Sequence, residues 1–109
     1  MSFHAYDVAI ELLKSLKKPL EELRTKDAGL AKQAREAAQS VPLNIAEARK
    51  RFGGDRQHIF RVALGSAGEV RAALDSAMAW DYLQAEKLEK CLELLDREIA
   101  MLYRLGGGP

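Results

Sequence analysis

The stretch LAKQAREAAQSVPLNIAEARKRF, residues 30–52, sets a proline in the middle of a helical pattern. Its apolar residues Leu30, Ala34, Ala37, Val41, Ile45, Ala48 and Phe52 step by four, three, four, four, three and four. Such steps keep one face of a helix in phase. The phase passes through Pro42 without slipping, which a linker has no reason to do. Pro42 has no N–H to offer the Ala38 carbonyl, and its ring crowds that carbonyl, at about 3 kcal/mol in an ordinary helix. The stretch reads as one long helix kinked at Pro42, with the Ser40 hydroxyl, the Asn44 amide or water open to the freed carbonyl. The alternative is a break in which Ser40 caps a new helix.

Outward from this stretch the same period recurs. Tyr6, Ile10, Leu13, Leu16, Leu20 and Leu23 mark a first helix over about residues 3–24, which Pro19 should bend or interrupt. Thr25 or Asp27 is placed to cap the second helix. Past Phe52, a glycine of Gly53-Gly54 supplies a left-handed C-terminal residue and Asp55 an N-cap. Phe60, Leu64, Ala67, Val70, Leu74 and Ala77 then mark a third helix. Gly65 and Gly68 inside it each lose about 1 kcal/mol relative to Ala, for which close approach of a neighbouring helix would compensate. WDYLQ, residues 80–84, is the next connection, and Leu88, Leu92, Leu95, Ile99 and Leu102 mark the fourth helix. Four amphipathic helices on short connections predict an all-α fold, an antiparallel up-down four-helix bundle over residues 1–105, with 106–109 as a flexible tail.

A chain of 109 residues, 48% hydrophobic and 30% charged, has the size and composition of one globular domain. Cys91 is the sole cysteine, so an internal disulfide is impossible, and a buried inert thiol in a reduced, cytoplasmic setting is expected. No apolar run approaches the ~20 residues that span a bilayer, so no membrane role is expected. Catalytic signatures are missing as well. The glycines lack phosphate-loop spacing, His4 and His58 sit in no metal-ligand pattern, and no Glu precedes a His by three as in di-iron bundles. The chain reads as non-enzymatic, without cofactor or metal.

Two surface features remain. Ser40, Asn44, Glu47 and Arg51 share one face of the second helix, either as a solvated face with a Glu47–Arg51 pair or as a polar contact surface. Arg49, Lys50, Arg51, Arg56 and Arg61 set five positive charges against Asp55 alone, whereas residues 69–98 carry eight acidic and four basic residues. Charge is thus segregated although the net is +1. A basic corner at a helix–helix turn is a reasonable phosphate site, with those five cations as the candidate nucleic-acid contacts. Phe52 and Phe60 lie on apolar stripes and are expected in the core rather than as base-stacking platforms. Surplus apolar lines, Ala5, Val8 and Leu12 on the first helix and Cys91, Leu94 and Met101 on the fourth, suggest contact with another subunit, the alternative being a single wide core.

SVPLNIAEARKRF, followed by ALGSAGEVRAALDSA, resembles the family of small four-helix proteins encoded within 23S rRNA intervening sequences. Ser40, Pro42, Asn44, Ile45, Ala46 and Glu47 match its first motif, and Ala63, Gly65, Ser66 and Glu69 its second. Ala48 stands where the family has Gly. The resemblance implies a four-helix bundle assembled as a ring-like homopentamer. It extends in fold to the accessory protein of diversity-generating retroelements, which implies contact with nucleic acid and with a reverse transcriptase. On this reading the chain binds RNA or DNA, or a nucleic-acid enzyme, through its basic corner. The rival is a protein-interaction scaffold with no nucleic-acid role.

Overall fold

A single residue, Asp27, separates the first two helices. In the computed structural model, which describes residues 2–108, α1 spans Ser2–Lys26 and α2 spans Ala28–Ala48. Asp27 caps α2: its backbone is extended and its Oδ1 accepts from the Leu30 N–H at 3.0 Å. Neither proline ends a helix. α1 continues through Pro19 to Lys26, and α2 continues through Pro42, so the alternative of a break capped by Ser40 is excluded. Both prolines are buried. α3 follows over Gly53–Ala79, then a 3-10 turn at Ala85–Leu88 and α4 over Glu89–Leu105. No strand occurs among the described residues.

Each helix packs on two others, in the cyclic order α1, α2, α3, α4. Along α3 and α4, Arg71 meets Asp96 and Arg61 meets Gly106, so these two helices run in opposite directions. The core follows the second stripe closely: Ala34, Ala37, Val41, Ile45 and Ala48 are all buried. Phe60, Ala63, Ala67, Val70, Leu74 and Ala77 face them from α3.

Packing on two neighbours widens the buried arc of every helix, and this corrects the surplus-line argument. Ala5, Val8, Leu12, Cys91 and Leu94 are buried core residues, and Met101 is half-buried against them. Of the expected stripe of α1, Leu16 and Leu23 are in the core, but Tyr6, Ile10, Leu13 and Leu20 lie at its margin, only half-buried. The lines that suggested a subunit contact are accounted for within one chain.

Further expectations change. Phe52 is 85% exposed, because α2 stops at Ala48, one turn before it. Gly53 is left-handed, at φ 57°, but as the first residue of α3 and not at the end of α2. Asp55 lies in the first turn of α3, whose N-cap position is Phe52. Gly65 and Gly68 are exposed, and a Cβ at either would meet no atom within 4 Å, so no neighbouring helix of this chain approaches them closely. At the C-terminus, Gly106, Gly107 and Gly108 of the expected tail donate backbone hydrogen bonds to Leu102, Arg104 and Tyr103. Pro109 lies outside the described residues.

Candidate nucleic-acid interface at the α2–α3 corner

The corner is built by the way α2 ends. After Ala48, the Lys50 and Arg51 N–H groups donate to the Glu47 and Ala48 carbonyls, a tight turn that brings the cations of residues 49–51 to the surface. The structure then divides the five candidate cations into two sets. Arg51 is engaged: its Nη2 lies 3.0 Å from Glu47 Oε2 and its Nη1 2.7 Å from Asp55 Oδ2. Hydrogen bonding to Asp55 first, and to Glu47 second, raises its pKa further, so it stays charged but compensated. Arg61 is also engaged, its Nη1 donating to the Gly106 carbonyl at 2.6 Å at the C-terminal pole of α4. A cation there also complements the helix dipole.

The other three cations stay at the corner. The Arg49 guanidinium lies 4.6 Å from the centre of the Tyr6 ring, on an exposed residue. Arg56 lies 5.8 Å from the centre of the Phe60 ring. Both sit on aromatic faces, where cation–π attraction orients the guanidinium. Lys50 is exposed, and among the described residues it makes no ion pair. Phe52 stands beside them.

The polar face of α2 does two jobs. Glu47 belongs to the corner, as the partner of Arg51. Ser40 instead ties α2 to α3, with Asn44 bracing it from within α2. The Ser40 and Ser66 hydroxyls are 2.5 Å apart, and Asn44 Nδ2 donates to the Ser40 carbonyl at 2.8 Å and to its Oγ at 3.0 Å. The Asn44 amide therefore serves the Ser40 carbonyl rather than that of Ala38. Ser40→Ala would leave the half-buried Ser66 hydroxyl and one Asn44 hydrogen bond without a partner. It should destabilise the chain by about 1–2 kcal/mol in urea denaturation, with the Ser40→Thr variant losing less.

Further along α2 and α3 lies an open groove of about 550 Å³, bordered by Glu36 and Glu69 and lined by no cation, which repels phosphate. A second cationic surface, missed in the sequence because it joins distant segments, surrounds an open depression of about 630 Å³ between α1 and α4. Lys14, Lys17, Lys18 and Lys90 line it.

One buried group also escaped the sequence reading. Glu98 is fully buried, and neither carboxylate oxygen has a hydrogen-bond partner in the chain. Burial raises its pKa from the ordinary 4.5 to about 8, slightly opposed by Arg97. The signal was present: Cys91, Leu94, Leu95, Glu98 and Leu102 share one helical face, with the carboxyl in the place of an apolar residue. Cys91 is buried, and desolvation raises its thiol pKa, which makes it a poor nucleophile. Among the described residues no cluster of His, Cys, Asp or Glu is able to hold a metal ion. No helix is long and apolar enough to cross a membrane.

Against known proteins, the sequence model of the 23S rRNA-intervening sequence protein family matches residues 1–104. The chain is also similar to a crystal structure of a protein of unknown function from the S23 ribosomal protein family of Bacteroides thetaiotaomicron. The two share 20% identity, with a TM-score of 0.86, over 94% of this chain and 98% of the other. At that identity the likeness speaks for the fold alone. No curated protein matches the chain.

Proposed function

We propose that this chain, which belongs to the 23S rRNA-intervening sequence protein family, contacts nucleic acid through the α2–α3 corner, acting as a binding protein and not as an enzyme. The observation that carries this reading is the placing of Lys50 and Arg56 on either side of the α2–α3 turn, with Arg49 next to Lys50 in sequence. Lys50 and Arg56 form no ion pair among the described residues, while the corner's two carboxylates, Glu47 and Asp55, are both spent on Arg51. Phosphate oxygens are the chemistry that guanidinium and ammonium groups at a helix–helix turn recognise. Three contacts of this kind give weak affinity from one subunit. Assembly into a ring, as the family resemblance implies, would multiply it through avidity if the corners share a face.

Salt dependence tests the reading. With three phosphates neutralised per subunit, log affinity for duplex DNA should fall with log salt at a slope near −2.7, and for a single strand near −2.1. Gln at positions 49, 50 and 56 together should flatten the slope and leave the helical circular dichroism unchanged. Arg51→Gln and Arg61→Gln should alter the slope much less, because those guanidinium groups already have partners. Partner binding that ignores both salt and these substitutions would make the chain a protein-interaction scaffold. A slope that follows Lys14, Lys17 and Lys18 instead would move the site to the α1–α4 depression.

A further inference from the structure

Phe52 is an unusual side chain to leave in water. It is 85% exposed, more than any other large apolar residue among those described. Its backbone is extended, at φ −132° and ψ 153°, in the turn between α2 and α3. The two residues after it are glycines, and a Cβ on Gly53 or Gly54 would meet no atom within 4 Å. The ring itself is exposed, and Lys50, an exposed cation with no ion pair among the described residues, precedes it by two residues. An aromatic face with clear approach, next to positive charge, is what an unstacked base requires: the ring takes the base and the cations take the flanking phosphates.

We propose that the corner takes single-stranded rather than duplex nucleic acid, with a base stacked on the Phe52 ring and a neighbouring phosphate on Lys50. This rests on the corner being the nucleic-acid contact. In a duplex the base faces are covered by their neighbours, and a ring at a helix–helix turn reaches one only by unstacking a step. A duplex therefore gains from the cations but not from Phe52. A single strand gains from both, without regard to sequence, since every base offers a π-face.

The test compares a labelled 12-nucleotide oligothymidylate with a 12-base-pair duplex by fluorescence anisotropy at low salt. Phe52→Ala should weaken the single strand by roughly 5- to 150-fold, the range of stacking on one aromatic side chain. It should leave the duplex affinity within twofold, and Phe52→Tyr should restore single-strand binding. A second readout is direct: Phe52→Trp, in a chain also carrying Trp80→Phe, should show its indole emission quenched by the oligothymidylate. If Phe52→Ala leaves single-strand binding intact while the glutamine variant at 49, 50 and 56 abolishes it, the stacking platform is wrong and the corner stands. If the unsubstituted chain binds neither polymer, the corner reading fails and the platform with it. If Phe52→Ala changes the sedimentation coefficient, the ring is covered by another copy of the chain and the proposal is overturned.

Discussion

Glu98→Gln should hold its stability nearly level between pH 5 and pH 8, while the unsubstituted chain loses roughly 3–4 kcal/mol over the same range. The sign follows from the direction of the shift. Folding raises the Glu98 pKa from 4.5 to about 8. Below 4.5 both states hold the proton and the group is neutral to folding. Between the two values the unfolded chain releases its proton while the folded chain keeps it. Stability therefore declines as pH rises and levels off only above about 8. At about 1.4 kcal/mol per pH unit the full difference is near 5 kcal/mol, a large share of the 5–15 kcal/mol typical of a domain. For a chain of this size the melting temperature should fall by more than about 10 °C from pH 5 to pH 8. Glu98→Leu should be more stable than the parent at every pH in that window, because even the protonated carboxyl is a buried donor with no acceptor. Urea denaturation of the three proteins at pH 5 and pH 8 checks both points. Parallel pH profiles for parent and Gln variant would mean that solvent reaches Glu98.

The same carboxyl shows where sequence reading stops. Periodicity places Glu98 on the buried face of α4, yet composition assigns a Glu to water, and the sequence alone cannot decide between them. The long α2 was legible because a seven-residue apolar phase survives a proline only if the helix does. Its end was not. Helical bonding stops at Ala48, and Phe52 keeps the spacing of the stripe while sitting in a turn. An apolar period records which face a residue would occupy if the helix went on; it carries no information on whether it does.

The corner was half legible for a related reason. Arg51 and Glu47 are four apart on a helix, so their pairing is local and readable. The bond of Arg61 to the Gly106 carbonyl spans 45 residues and depends on how α3 packs against α4. Of the five neighbouring cations, Arg51 and Arg61 are engaged by packing, while Lys50 and Arg56 form no ion pair among the described residues. The charge that a partner meets is set by tertiary packing rather than by the count. Ser40, braced by Asn44, shows the converse, since a stripe that reads as a polar surface turns out to join two helices.

Replacing Leu12 with Ala should destabilise the chain by about 2–5 kcal/mol, whereas Ile10→Ala should do so by less than about 1.5 kcal/mol. The periodic stripe ranks them the other way, with Ile10 in the core and Leu12 off it. The structure puts Leu12 at 0% exposure within the core and leaves Ile10 half-buried at its margin. The reason is geometric: α1 packs on both α2 and α4, and the centre of its buried arc lies between the two contacts. Removing Leu12 opens a cavity that tightly packed neighbours fill only in part, while Ile10→Ala mostly removes atoms already near water. Urea denaturation at unchanged m-value measures both. Repeating it over a hundredfold range of protein concentration adds a second discrimination. If the half-buried line of Tyr6, Ile10 and Leu13 faces only solvent, the Ile10→Ala effect stays small at every concentration. If another subunit covers that line, the effect grows as the protein is concentrated, because the substitution then weakens association as well as folding. Leu12→Ala should show its full effect even at the lowest concentration, since its partners all belong to the same chain.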